Sequence, residues 1–317
     1  MRAPTFIVTL AALILGPFHL HADASAGLPA AYLRAGWGAQ AGAMGNAFVA
    51  AAEGTDAVYW DAAALALSRR PALASGFDWL SLGRSFNTAG LVLAWDDTTA
   101  PTPEGKFPMP QNRGLGTWAL GWMTYSLGDD FEGRTTDTST YYAFGDRQIA
   151  YWLSHGRAVT PWWSLGASAK LYQHNLDTFY AQGWGFDLSS LLLIGPRARL
   201  AVSASDMAAD LAWSTGTQEH IPMVLRAGLW GEVWAEHLYM AGQVQDVENG
   251  ATEGSIGAEF RLMKIMRVEA GIQSQGITFG GGVKVNVGQT MMRLDYAYLP
   301  DPLSQGPDQR LEVNVSF

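Results

Sequence analysis

The residues with the clearest chemical potential lie in the last third of the sequence. Glu259 and Arg261, Arg267 and Glu269, Lys284, Arg293 and Asp295, and Arg310 and Glu312 recur within otherwise apolar runs, the paired charges two apart. A spacing of two puts both members of a pair on one face of a β-strand. Opposite charges on neighbouring strands can then pair across a sheet, and a face carrying both signs can be buried without leaving one charge alone. Two chemistries are open to such a set: a polar or proton-linked conduit, or a ladder of ion pairs that fills an interior and fixes strand register. Other centres are not expected. His155, His174, His220 and His237 are scattered with no H-E-x-x-H spacing, which argues against zinc. Cysteine is absent, which removes disulfides, thiolate catalysis and cysteine metal sites together. No G-x-S-x-G occurs. Asp129, Asp130, Asp206 and Asp210 read as solvated carboxylates in or near loops. No catalytic residue, metal or cofactor is expected.

These charges need strands to place them. Leu311, Val313, Val315 and Phe317 alternate with Arg310, Glu312, Asn314 and Ser316 without a slip. Trp163, Leu165, Ala167, Ala169 and Leu171 alternate in the same way with Ser164, Gly166, Ser168 and Lys170. Charged residues make up 15% of the chain, against roughly 25% in soluble domains, while mean hydropathy is close to zero. Low charge without high hydropathy fits strands that face lipid on one side and a polar interior on the other. No run reaches the ~18 apolar residues of a helical span. The net charge of −9 and the lack of a basic stripe exclude a nucleic-acid partner.

The segments read as Ala72–Ser81, Ser85–Trp95, Leu115–Ser126, Arg147–Gly156, Trp162–Asn175, Tyr180–Ile194, Arg197–Ser205, Met223–Val233, Leu238–Val247, Glu253–Leu262, Met266–Gln273, Ile277–Val287, Met291–Leu299 and Gln309–Phe317. The expected fold is therefore all-β: a transmembrane antiparallel β-barrel of about 14 strands over residues 71–317, with outer-membrane lipid around it. An even count returns both ends to one side. The connections Leu127–Asp146, Met207–Pro222 and Pro300–Asp308 then fall on the other, outer side, while the proline-rich Asp96–Gly114 breaks the pattern of short periplasmic turns. Aromatics crowd Trp118, Trp122, Tyr125, Tyr141, Tyr142, Phe144, Tyr151 and Trp152, as an interfacial girdle or as a surface for a hydrophobic ligand.

Two segments precede the strands. Arg2, the apolar run Phe6–Leu15 and the small residues after it make residues 1–24 a secretory signal peptide, with cleavage expected after Ala24. Residues 25–70 form a short, partly helical plug or lining segment rich in alanine and glycine. Ala47–Ala52 and Ala57–Leu67 are its expected helical pieces, with Asp56 and Asp61 near their starts.

The stretch A-G-A-M-G-N-A-F-V-A-A-A-E-G-T-D-A-V-Y-W-D-A-A-A-L-A, Ala41 to Ala66, resembles the opening of the PorV/PorQ outer-membrane proteins, relatives of the FadL-type hydrophobic-compound transporters. Met44, Gly45, Ala47, Phe48, Tyr59 and Trp60 match that pattern, whereas Asp61-Ala62 replaces the family's Asn-Pro. The closing D-Y-A-Y-L-P-D-P-L-S-Q-G-P-D-Q-R-L-E-V-N-V-S-F is similar to the family's last hairpin. The resemblance implies a 14-stranded barrel with the N-terminal segment inside or beneath it. For function it implies a non-enzymatic role in type nine secretion, with secreted proteins or secretion-channel components as partners. The alternative is a FadL-like channel for a hydrophobic small molecule. The final Phe317 resembles the signal read by the barrel insertion machinery of a Gram-negative-type outer membrane.

Overall fold

A computed structural model describes residues 27–81, 83–94, 115–133, 142–300 and 306–317, with the side chains of 129–133 and 142–143 left aside. Its strands are β1 (Ala72–Trp79), β2 (Arg84–Leu93), β3 (Thr117–Gly133), β4 (Tyr142–Thr160), β5 (Trp163–Leu176), β6 (Phe179–Ile194), β7 (Ala198–Trp213), β8 (Gln218–His220), β9 (Val224–Trp234), β10 (Leu238–Val247), β11 (Thr252–Met263), β12 (Met266–Gln273), β13 (Gly276–Val287), β14 (Thr290–Leu299) and β15 (Asp308–Ser316). β8 pairs with β7 alone, inside a connection. Every other strand pairs antiparallel with its neighbours along the chain, β7 joining β9 directly. β15 returns to β1, from Ala72↔Ser316 to Trp79↔Gln309. The fifteen strands less β8 thus form a closed transmembrane barrel of fourteen. Closure matters because an open edge would leave unpaired N–H and C=O groups in hydrocarbon.

Period-two burial follows the sequence. In β5, Ser164, Gly166, Ser168, Lys170 and Tyr172 face inward, while Leu165, Ala167, Ala169 and Leu171 are exposed. In β15, Arg310, Glu312, Asn314 and Ser316 are buried and Val313 is exposed. The outer wall carries Leu73, Leu120, Leu153, Leu188, Val202, Ile272, Phe279 and Val285, all exposed, as a lipid-facing band requires. No helix among the described residues is long and apolar enough to cross a membrane. The barrel end that holds Ala72 and Phe317, where Phe317 N–H donates to Pro71 O at 3.0 Å, is called the terminal end below, and its opposite the far end.

Three expectations are corrected. The run Ala47–Ala52 is not helical; the first α-helical turn is Ala39–Ala43, followed by Ala57–Trp60 and a 3-10 stretch at Ala62–Leu67. Asp61 does cap its stretch, accepting from Ala63 N at 2.9 Å, whereas Asp56 makes no cap. Strand β7 runs on to Trp213, so the first part of the expected loop Met207–Pro222, up to Trp213, is wall, and Asp206 and Asp210 are strand residues. The slip has a geometric cause. Between Trp184↔Asp210 and Leu188↔Ala204, β7 spends six steps against four on β6, and Asp206 and Ala208 take positive φ of 61° and 48°. Two extra residues bulge the strand yet keep the parity of its faces. The Asp96–Gly114 connection lies wholly outside the described residues, as does the signal peptide.

Candidate functional site

The N-terminal segment 27–70 touches β12–β15 through the turn Ala39–Ala43 and β3–β6 through Ala62–Leu67, which lie on opposite walls. It therefore lies inside the barrel. Small residues make this possible. A Cβ at Gly166 of β5 would fall 2.1 Å from Ala63 N, and one at Gly271 of β12 would fall 2.2 Å from Gly45 N. Strand backbone and segment backbone pack directly at these glycines.

The motif residues are all buried in this contact. Met44 and Gly45 lie against β11 and β12, with Gly45 at φ 64°. Ala47 and Phe48 are buried, and Gln243 Oε1 accepts from Phe48 N and Val49 N at 3.2 and 2.9 Å. Tyr59 donates to Leu33 O at 2.7 Å and Trp60 Nε1 to Trp37 O at 2.8 Å. Trp37, Tyr59 and Trp152 of β4 form an aromatic cluster, with centroids 5.8–6.3 Å apart. Trp152 thus faces the lumen, while Trp118 and Tyr151 face outward; the expected girdle is divided between the two sides. Tyr141 and the side chain of Tyr142 lie outside the described residues.

The charged set falls on β11 to β15, where like charges are direct register partners and opposite charges meet along a strand, across an intervening strand, or, for Arg310 and Asp78, directly across the seam. Glu259↔Glu269, Arg261↔Arg267, Lys284↔Arg293 and Asp295↔Glu312 are register partners. Like charges therefore face each other on directly adjacent strands, but the row that holds Arg261 and Arg267 continues through Gly282 to Asp295 and Glu312 and so carries both signs. Attraction runs along the strands and straight across β13, where Arg267 and Asp295 meet over Gly282. Arg261 meets Glu259 at 2.5 Å, Arg267 meets Glu269 at 2.5 Å and Asp295 at 2.6 Å, and Arg293 meets Asp295 at 2.6 Å. Lys284 is exposed and has no ion-pair partner among the described residues, because Gly282 stands where its strand's acid would be. Arg310 pairs with Asp78 of β1 at 2.7 Å and not with Glu312.

Side chains of β11, β14 and β15 also anchor the segment. Glu312 Oε2 accepts from Ala39 N at 2.8 Å, Gln40 donates to Glu259 at 2.6 Å, Arg293 reaches Asp56 at 3.3 Å, and Asn314 donates to Thr55 at 2.7 Å. Burial, with the nearby Glu312 carboxylate, holds the Asp56 carboxyl well above its ordinary range against the pull of Arg293. Burial also pushes Asp61 up to about 7, against the opposing hydrogen bond from Ala63 N–H.

Two groups were not marked from sequence as functional. Lys170 of β5 is buried against Asp187 of β6 at 2.8 Å and against Asp206 of β7, which also accepts from Tyr172 at 2.7 Å. Asp206 was hidden by reading its strand as a loop. Arg226 of β9 is buried and, among the described residues, has only neutral acceptors, Gln245, Ser205 and Tyr59; it lies over the rings of Tyr59 and Trp60. No group of acidic or histidine residues among the described residues is arranged to hold a metal.

The fold and site together define a membrane barrel whose own N-terminal segment occupies its lumen. No family model matches the chain, and no curated protein does. Solved structures do. The toluene transporter TbuX of Ralstonia pickettii aligns with a TM-score of 0.54 at 14% identity, covering 89% of this chain and 97% of that one. The toluene transporter TodX of Pseudomonas putida aligns at 0.57 and 13%, with the same coverage. A FadL homologue of Pseudomonas aeruginosa aligns at 0.52 and 9%, covering 88% and 97%. The chain therefore shares the fold of FadL-type barrels.

Proposed function

We propose that the chain is a non-enzymatic outer-membrane channel of the FadL type that admits hydrophobic small molecules, exported through the signal peptide at residues 1–24. The observation that carries this reading is the two-sided lumen around the N-terminal segment. Toward β2–β7 the inner wall buries large apolar side chains, Phe86, Met123, Trp152, Leu191 and Leu211, beside the Lys170–Asp187–Asp206 group. Toward β11–β15 it carries the anchoring charges. A segment held by a few polar contacts on one side and apolar packing on the other acts as a movable plug. Its displacement uncovers those apolar side chains for the solute. The secretion-associated PorV/PorQ role, with secreted proteins or secretion-channel components as partners, rests on the N-terminal motif alone and is the lesser reading. Phe317, exposed at the terminal end, remains the proposed signal to the insertion machinery.

The chain has no cysteine of its own, so a single engineered pair tests the plug. An ideal Cβ at Gly90 of β2 lies 3.1 Å from Thr55 Cβ, a few tenths of an ångström inside the usual disulfide range of about 3.5–4.5 Å. In Thr55→Cys/Gly90→Cys protein, toluene uptake by cells should fall to background when oxidised and return on reduction. Equal uptake in both states would show that the segment need not move.

A further inference from the structure

We propose that His220 is a proton-operated clasp at the far-end rim: protonated, it fastens the β7–β8 hairpin to the β10–β11 turn, and on losing its proton it releases the hairpin.

The hairpin needs a fastening because the wall is interrupted beneath it. β7 pairs with β9 as far as Ser205↔Val224 and with β8 from Asp210↔His220, so β7 spends five steps where the facing chain spends four. Pro222 lies in that gap and has no N–H to give. Beyond the gap β8 pairs with β7 alone. Glu248, in the turn between β10 and β11, bridges the break. Its Oε2 accepts from Met223 N at 3.0 Å and from His220 Nε2 at 3.1 Å, and its own N–H donates to Met223 O at 2.9 Å. The second ring nitrogen, Nδ1, donates to Asp210 Oδ1 of β7 at 3.0 Å.

An ionised carboxylate only accepts, so both ring nitrogens carry hydrogen and the ring is an imidazolium. The hydrogen bond to Asp210, and then that to Glu248, holds the ring above its ordinary pKa of 6.5. The Met223 N–H, and then His220, hold the Glu248 carboxyl below its usual range. A neutral ring keeps one N–H. One carboxylate then faces a lone pair, and no cation stands between the two acids. The surrounding elements supply no replacement. Asp246 of β10 is a further acid and accepts from the Thr252 hydroxyl. On β6, Trp184 opposite Asp210 is neutral, as is the turn 214–217. Alternation puts Glu219 on the opposite face of β8, and Arg226 of β9 is buried beside Tyr59. The His220 side chain is 51% exposed, so solvent protons reach it freely. A group whose pKa is raised by folding stabilises fully below its unfolded value, here about 6.5, and the effect is lost as pH rises through the raised one. The clasp is therefore closed in acid and open in alkali, whatever the barrel conducts.

The test uses the full-length barrel in detergent, whose chain has no native cysteine. A nitroxide on Thr215→Cys, in the hairpin turn, reports local mobility by electron paramagnetic resonance from about pH 5 to about pH 9, a span that brackets histidine titration. Heat-modifiable gel mobility at each pH verifies that the barrel stays closed. The label should become more mobile as pH rises, with a midpoint above 6.5. Adding His220→Gln should leave it mobile at every pH. Adding Glu248→Gln, which keeps an acceptor for Met223 N–H, should lower the midpoint. Nuclear magnetic resonance titration of the histidine rings in the native chain reads the same midpoint without relying on a variant's folding. A label whose mobility ignores pH, a transition that survives in His220→Gln or is unmoved by Glu248→Gln, or a ring that titrates at or below 6.5 would overturn the proposal.

Discussion

Lys170 is flanked inside the wall by Asp187 and Asp206, and its removal would leave two buried carboxylates beside each other. Breaking such a network by taking out one partner costs about 3–5 kcal/mol, far more than the network contributes when intact. Lys170→Met should therefore lower the temperature at which the folded barrel loses its compact gel mobility. Adding Asp187→Asn and Asp206→Asn should recover most of that loss. An unchanged transition in Lys170→Met would mean that the carboxylates are hydrated. Asp61 gives a prediction of a different kind. Its pKa is raised from 3.8 to about 7, so the folded segment keeps a proton that the unfolded one releases. The contribution is full below about pH 4, is lost as pH rises toward 7, and is level above, with an upper bound on the order of 4 kcal/mol. Asp61→Asn keeps an oxygen for Ala63 N–H and removes that slope. Limited proteolysis of the segment should thus speed up from pH 5 to pH 8 more in the native chain than in Asp61→Asn. Parallel pH profiles would refute it.

Among the elements, the segment depends on bare strand backbone. Gly166→Val would force side-chain atoms into the Ala63 backbone, with the Cβ alone at 2.1 Å. The barrel should still close and show heat-modifiable mobility, because its pairing does not involve that face. The segment should become protease-sensitive. Ala167→Val, one residue along and facing lipid, should change neither property. A protected segment in Gly166→Val would show that docking tolerates a shifted strand. This dependence also explains what could be read in the sequence. The strands and their faces were legible because lipid outside and a small or polar interior inside impose strict alternation, as in β5 and β15. The inward glycines carried the same period but not their partner, since nothing local says what packs on an empty position. The β6–β7 bulge was illegible because two inserted residues interrupt the alternation around Asp206 and then restore it. The charged set was legible as inward. Its pairing was not, because which charges meet is set by register across five strands.

For the whole molecule, the decisive step is joining residue 72 to residue 316 across the full length of the chain. Arg310 spans that seam. It pairs with Asp78 of the first barrel strand, and its two terminal nitrogens donate to Gly38 O and Ala35 O at 3.1 and 3.4 Å. One guanidinium thereby ties the first strand, the last strand and the seated segment together. Both side chains of the pair are about 5% exposed. In Arg310→Met, the Asp78 carboxylate would be left alone in the wall at a cost of about 3–5 kcal/mol. In Asp78→Leu/Arg310→Met, no lone charge remains and eight pairs of backbone register still join β1 to β15. The single variant should therefore melt below the double one, with both below the native chain. The segment should be released at a lower temperature than the barrel opens in the double variant, because its two carbonyl anchors are gone while the seam persists. Simultaneous release and opening in the double variant would mean that segment and seam form one cooperative unit, and that the plug cannot move while the barrel stays closed.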